Sequence, residues 1–376
     1  MENVEIRLVN NSKGRGLFAK KSFKSGDVIF EETPFVCCQF SWNSEYKYKA
    51  CDYCLKPLET AQENARRLTG QPNLELPFPD CCTTDKSKIV LCFNCNVEYC
   101  SEECKMNSWN DYHKMLCVGL NTTHPLINLN NAWKQIHYPP EESTIMILPR
   151  ILAMIEQSEN REQVLLKLNQ FCNKSVNEEL ELAHKFLGDK FIGSINLLYD
   201  LLKNVISQKE IDTIEGFHKL LAILGTNGQG VGTSSISEWV NKCSELPLSD
   251  FEREKLNNFI DKLYVDMENN VGCFLNNEGV ALYSLQSAAN HSCIPNAEPS
   301  FLHNNSKLSL VALKDIQDGE EICISYLDEC NLGRSRHSRH KQLAENYLFI
   351  CNCEKCLQEI NEADVTSEES DEDMSD

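Results

Sequence analysis

The sequence predicts an α+β fold in which a strand-rich core is written in two pieces, parted by a cysteine-rich segment and a helical stretch. Short β-branched and aromatic runs of alternating polarity lie near both ends of the chain, at residues 4–9, 27–31, 35–40, 280–285, 308–313 and 321–326. Between Cys51 and Cys117 cysteines recur in close pairs. From Leu126 to about Met267 apolar residues return at intervals of three and four, the mark of amphipathic helices.

Taken in order, the strand at 4–9 leads into Lys13-Gly14-Arg15-Gly16-Leu17-Phe18-Ala19. Two glycines allow backbone amides to approach a ligand closely, although on their own they read equally as a hairpin turn. Next come Cys51-x2-Cys54, Cys92-x2-Cys95, Cys100-x3-Cys104 and His113-x3-Cys117. Zinc prefers tetrahedral thiolate and imidazole sites, so eight such ligands predict two ions. A structural zinc contributes roughly 10–16 kcal/mol to a small finger and has no open position, which excludes a catalytic role for it. Cys81 and Cys82 fall in the long gap between Cys54 and Cys92, as bystanders or as replacement ligands.

Helices are expected at 145–155, 163–171, 178–187, 195–206, 217–224 and 251–267. The glycine-rich run Gly225-Thr226-Asn227-Gly228-Gln229-Gly230-Val231-Gly232-Thr233 interrupts them, and without a following Gly-Lys-Ser/Thr it reads as a flexible connector. After Gly279 the strands return around Asn290-His291-Ser292-Cys293-Ile294-Pro295-Asn296, which alone could be a polar turn closed by proline. Two further segments argue against that reading: Gly319-Glu320-Glu321-Ile322-Cys323-Ile324-Ser325-Tyr326, and Tyr347-Leu348-Phe349-Ile350-Cys351-Asn352-Cys353-Glu354-Lys355-Cys356. Cys351, Cys353 and Cys356 are one ligand short of a tetrahedron, and Cys293 is expected to be the fourth, making a third zinc. The basic run 334–341 opens a last helix and reads as a solvated face. An acidic block from 359 to 376, without Lys or Arg, reads as a disordered tail.

The chain has 376 residues, room for two or three domains, and carries a net charge of −20. That charge argues against a general nucleic-acid binder, which needs a basic footprint, and suits a basic protein partner. No apolar run approaches a membrane span and the first residues hold no apolar signal core, so a soluble, intracellular protein is expected. Twenty cysteines in a reducing compartment point to metal ligation rather than disulfides.

In their order, the three motifs centred on Asn290–Asn296, Tyr326 and Cys351–Cys356 resemble the SET domain of protein-lysine methyltransferases, and residues 98–117 resemble a MYND finger. The resemblance covers nearly the whole chain. It implies an N-terminal SET half at 1–50, a MYND-type finger at 51–117, a helical SET insertion at 118–271, a C-terminal SET core with a pseudoknot at 272–349, a post-SET zinc segment at 350–358 and the tail at 359–376. It implies interleaved zinc ligands, with Cys51, Cys54, Cys100 and Cys104 on one ion and Cys92, Cys95, His113 and Cys117 on the other. It assigns S-adenosylmethionine to Lys13, Gly14, Arg15, Gly16, Ser287, Asn290, His291, Tyr326 and Phe349, and the chemistry to Tyr326 and Tyr347. Asn227 has a further reading beside the cofactor, because related enzymes use an asparagine of the insertion there.

The implied reaction moves one or more methyl groups, up to three, onto a lysine of a basic protein such as a histone or ribosomal protein. With a pKa near 10.4, only about 0.1% of lysine is free amine at pH 7.4, a cost of about 4 kcal/mol that an apolar, aromatic channel reduces. The resemblance also leads to a monomer in the cytoplasm, with the nucleus a second location, and to a proline-rich peptide as ligand of the finger. The competing reading is an adaptor that binds through the finger while its SET core is idle. The C-terminal helical repeat domain of wider relatives is not expected in this chain, so contacts assigned to that domain are not transferred.

Overall fold

The computed structural model describes residues 2–10, 13–137, 142–174, 176–177, 182–183, 189–206 and 208–362. The acidic block beyond Glu362 lies outside the described residues. Strands β1 (Val4–Asn10), β2 (Gly14–Ala19), β3 (Val28–Glu32) and β4 (Val36–Gln39) precede the cysteine-rich segment, which holds β5 (Val90–Leu91) and β6 (Glu98–Tyr99). The helical stretch contains β7 (Val176–Asn177), β8 (Leu182–Ala183) and β9 (Gln229–Thr233). The C-terminal half supplies β10 (Asn277–Leu282), β11 (Asn290–His291), β12 (Ala297–Ser300), β13 (Leu308–Ala312) and β14 (Glu321–Ile324).

Both halves contribute to every sheet of the core: the strand orders are β1-β2-β14-β11, β4-β10-β9 and β12-β13-β3. Alternation along these strands buries Leu17, Ile29, Ala281, Leu308, Leu310 and Ile322 in one apolar core. The two-residue β11 lies parallel to β14, setting Asn290 opposite Cys323 and His291 opposite Ile324. Beyond it the Asn296 side chain locks the crossing, accepting from Cys323 N at 2.8 Å and donating to Glu321 O at 2.8 Å.

Helices Pro125–Ile136, Ile147–Gln157, Asp189–Val205 and Ile214–Asn227 surround a second core. Leu129, Trp133, Ile151, Leu152, Phe217 and Leu221 meet Val36 of β4 and Leu282 of β10 there. Arg150 fastens this core to its neighbours. Its Nη1 reaches Cys37 O (2.8 Å), Asp52 O (2.7 Å) and Tyr112 Oη (2.8 Å), and its Nη2 reaches Asp52 Oδ1 (2.5 Å).

A third core was not legible in the periodicity. Between Cys54 and Cys92 the chain forms helix Ala61–Thr69, started by a Thr60/Glu63 capping box and stopped by Gly70 at φ 67°. It packs on helices Ser235–Ser244 and Asp250–Val271 through Ala65, Leu68, Trp239, Leu256, Leu263 and Met267. Cys81 and Cys82 sit at the edge of this core, outside the ligand clusters described below.

Two expectations need correction. The 225–233 run is no flexible connector: it ends helix Ile214–Asn227 and then forms β9, paired antiparallel with β10. Gly228 is required at that junction, since a Cβ would come within 2.6 Å of Leu224 O. The helix expected at 178–187 is absent where described, because Val176–Asn177 and Leu182–Ala183 pair as antiparallel strands; residues 178–181 and 184–188 lie outside the described residues.

Candidate active site and metal-ligand clusters

A cavity of about 290 Å³ opens between the end of helix Ile214–Asn227, the turn after β10 and the end of β14. Asn227, Gln229, Gln286, Ser287, Tyr326 and Tyr347 are among its walls. A larger groove of about 580 Å³ lies between helix Ser235–Ser244 and the β12–β13 turn, away from every expected site residue. Its Glu238 carboxylate is already occupied by Thr83, Lys242 and Asn304.

Tyr326 lies two residues past the end of β14, which delivers it beside β11. Its backbone N–H donates to His291 Nδ1 at 3.0 Å, and its hydroxyl donates to Ala289 O at 2.8 Å. Tyr347 Oη donates to Tyr326 O at 3.2 Å, and the two rings lie 4.7 Å apart. Phe349 completes an aromatic cluster, edge-on to Tyr326 at 6.3 Å and 6.1 Å from the His291 ring. Burial raises the Tyr326 phenol well above its ordinary pKa and pushes Tyr347 up to about 12, so both stay protonated near neutral pH.

The glycine pair lies on the neighbouring strand. Gly14 takes φ +71°, and at Gly16 a Cβ would stand 2.6 Å from Val9 Cγ2, 2.9 Å from Glu321 Oε1 and 3.0 Å from Asn290 Nδ2. Asn290 Nδ2 donates to Arg15 O (3.1 Å) and Glu321 Oε1 (2.8 Å), tying β2 to β11 and β14. Arg15 itself donates to Gln170 O, and Lys13 is exposed. Of the expected site residues Ser287, Tyr326 and Tyr347 line the cavity; His291 and Phe349 pack against Tyr326, and Asn290 and Gly16 meet on the adjoining strands, but these four, like Lys13, Gly14 and Arg15, are not among its walls. Replacing Gly16 by Ala is expected to displace Val9, Glu321 and Asn290 together and to cost about 1–3 kcal/mol of stability in urea unfolding; unchanged stability would show that these side chains can give way freely.

Asn227 meets the cavity, but its amide is spent on the backbone of Cys172, accepting from N at 3.1 Å and donating to O at 2.7 Å. Gln286 is a wall residue that the sequence did not reveal. It is 5% exposed, its Nε2 donates to Gln229 Oε1 at 3.1 Å, and its own Oε1 has no hydrogen-bond partner. Gln229 Nε2 donates to Gly230 O, which fixes the sense of both amides and leaves Gln286 Oε1 as a buried acceptor for an incoming N–H.

Cys51, Cys54, Cys100 and Cys104 come together, as do Cys92, Cys95, His113 and Cys117, and Cys293, Cys351, Cys353 and Cys356, with ligand atoms in each group within 4.8 Å of one another. The paired spacing, the interleaving and the recruitment of Cys293 all appear in these groups. A tetrahedron with Zn–S bonds of about 2.3 Å has edges of about 3.8 Å. The contacts Cys54–Cys100 (3.6 Å), Cys100–Cys104 (3.5 Å), Cys92–Cys117 (3.8 Å), Cys95–His113 (3.3 Å) and Cys293–Cys356 (3.6 Å) suit that geometry. The donor chemistry and the spacing therefore fit a closed metal site in each group.

The basic run at 334–341 is not a simple solvated face. It forms helix Arg336–Tyr347, in which Arg339 is 1% exposed and lies against the Cys293 and Cys356 thiols.

The sequence profile of the SET domain matches residues 14–327. Over 372 residues, 97% of this chain and 90% of the relative, the chain is 51% identical to the protein-lysine N-trimethyltransferase SMYD5 of Danio rerio. Identity to the SMYD5 of Homo sapiens is 51% over 373 residues, covering 98% of this chain and 89% of that protein. The histone-lysine N-methyltransferase SMYD3 of Mus musculus is 27% identical over 369 residues, covering 97% of this chain and 64% of the relative.

Proposed function

Since this chain belongs to the SET-domain family, we infer that it is a protein-lysine N-methyltransferase and that Tyr326 orients the reacting amine. The supporting observation is that Tyr326 lines the cavity while its backbone N–H is held by His291 Nδ1. S-adenosylmethionine, when bound, supplies an electrophilic methyl group carried on a sulfonium. The Gly14–Gly16 backbone, Asn290 and His291 are the residues we assign to holding it, with Lys13, Arg15, Ser287 and Phe349 around them.

The lysine channel is then the aromatic cluster of Tyr326, Tyr347 and Phe349. Its low polarity favours the neutral amine, so no strong base is required. Because the Tyr326 hydroxyl spends its proton on Ala289 O, its oxygen keeps its lone pairs for accepting. Tyr326 Oη and Gln286 Oε1 can each take an amine N–H, leaving the nitrogen lone pair free to attack. Calorimetry tests this reading: heat on adding S-adenosylmethionine supports it, and no heat favours the adaptor function.

Each cysteine cluster is proposed to hold a structural zinc, three ions in all. Cys293→Ser is expected to lower zinc from three to two per chain by elemental analysis, and a full complement would remove the third site. We propose MYND-type behaviour for segment 51–117, supported by apolar side chains left in solvent within it and just beyond it: Phe93 is 89% exposed and Leu120, three residues after Cys117, 86%. They flank a groove with Trp109, which suits a proline-rich peptide. Trp109→Ala should weaken such a peptide about tenfold in a fluorescence titration; equal binding would place the peptide elsewhere.

The net charge of −20 supports a basic protein substrate, and the trimethylation named for the SMYD5 relatives is proposed for this chain also. A reducing compartment, cytoplasm with the nucleus second, suits its uncrosslinked cysteines; a fluorescent fusion seen in a secretory compartment would contradict it.

A further inference from the structure

We infer that the His291 imidazole is a positioning residue that ties Tyr326 to the cluster of Cys293, Cys351, Cys353 and Cys356, with the buried Arg339 guanidinium securing the thiolate end. The inference rests on the reading that this cluster holds zinc and that Tyr326 orients the amine.

Arg339 begins the link. At 1% exposure it could not remain charged without partners, and it has four: Cys293 Sγ at 3.3 Å, Cys356 Sγ at 3.5 Å, Arg334 O at 2.6 Å and Glu359 Oε2 at 2.6 Å. Only a guanidinium fork can serve so many acceptors at once. Four thiolates around a divalent ion leave a net charge of −2, and Arg339 is the cation buried against them.

His291 carries the link onward. Its Nδ1 accepts the backbone N–H of Tyr326 at 3.0 Å, so a neutral ring bears its proton on Nε2, which lies 3.4 Å from Cys293 Sγ. One ring therefore spans from a metal thiolate to the amide that places the catalytic tyrosine. At 8% exposure, with Tyr326 at 5.4 Å and Phe349 at 6.1 Å, it has no room to turn to other partners. A shift at the cluster reaches Tyr326 through this ring, over and above the covalent link from Cys293 along the chain.

The test uses the full chain with 3-fluorotyrosine, the Tyr326 resonance being identified by its loss in Tyr326→Phe. Cys353→Ser opens the cluster at a thiol touched by neither Arg339 nor His291 in the hydrogen bonds above. It is expected to remove one zinc per chain and to move the Tyr326 resonance. In a His291→Phe background the same loss of zinc should leave that resonance where it is. Equal displacement in both backgrounds, or zinc loss without displacement in the wild-type background, would overturn the inference alone. Unchanged zinc in Cys353→Ser would overturn the metal assignment, and the inference with it. Should His291→Phe fail to fold, Arg339→Met gives an independent reading: zinc affinity at one of the three sites should fall about 10–100-fold against a competing chelator, with partial rescue in Arg339→Lys. Undiminished affinity in Arg339→Met would contradict the thiolate end of the link.

Discussion

Tyr326→Phe is expected to lower turnover by about 10²–10³-fold, the loss typical of one hydrogen-bonding group acting at the transition state. Cofactor affinity should hardly change, because the contacts assigned to it come mostly from Gly16, Asn290 and His291 on the adjoining strands. The backbone N–H of Tyr326 still donates to His291 Nδ1 in the variant, so the ring stays in place. What goes is the hydroxyl, with its bond to Ala289 O and its acceptor oxygen. The folded state should lose about 1 kcal/mol from the broken hydrogen bond. Steady-state kinetics beside a calorimetric titration separate these effects. A rate within twofold of wild type would withdraw the role given to this hydroxyl, and a parallel collapse of affinity would place Tyr326 in cofactor binding instead.

Arg150→Met should cause the largest loss of stability, about 3–5 kcal/mol, the usual cost of removing one partner from a buried ion pair. Arg150 is 8% exposed and joins Cys37 in β4, Asp52 between Cys51 and Cys54, and Tyr112 next to His113. Its guanidinium also lies over the Tyr112 ring at 4.6 Å. Without it the Asp52 carboxylate, 20% exposed, and the Cys37 carbonyl are left in a largely dry environment. Arg150→Lys should recover little, since one ammonium cannot replace a planar fork that serves three residues. Urea unfolding at fixed zinc provides the measurement. A change below about 1 kcal/mol would show that water or rearrangement satisfies these groups.

The features readable in the sequence were those in which chemistry demands particular residue types at short spacing. Paired cysteines announce a metal site before any fold is known, and the crowding of Asn290 to Asn296 before a proline is improbable as mere packing. Strands Val4–Asn10, Val28–Glu32 and Leu308–Ala312 and helices Ile147–Gln157 and Ile214–Asn227 lie within a few residues of their expected positions because burial leaves periods of two and 3.6 in the chain, whereas helices Ala61–Thr69, Pro125–Ile136 and Ser235–Ser244 were not anticipated. The errors concern partners distant in sequence. β9 is glycine-rich and weakly patterned, and its strand character comes from β10, far along the chain. Arg339 sits in a charged run that looks solvated, and only the folded chain brings Cys293 and Cys356 against it. Gln286 becomes notable only when its oxygen is found buried without a donor.

We propose that methyl transfer to lysine takes place at the cavity beside Tyr326. The direct measurement is to incubate the protein with methyl-labelled S-adenosylmethionine and a lysate rich in basic proteins, then hydrolyse and identify the labelled amino acid. Label in methylated lysines, present with the wild type and largely absent with Tyr326→Phe, is the predicted result. S-adenosylmethionine that binds without labelling any lysine, or label on another amino acid alone, would contradict it.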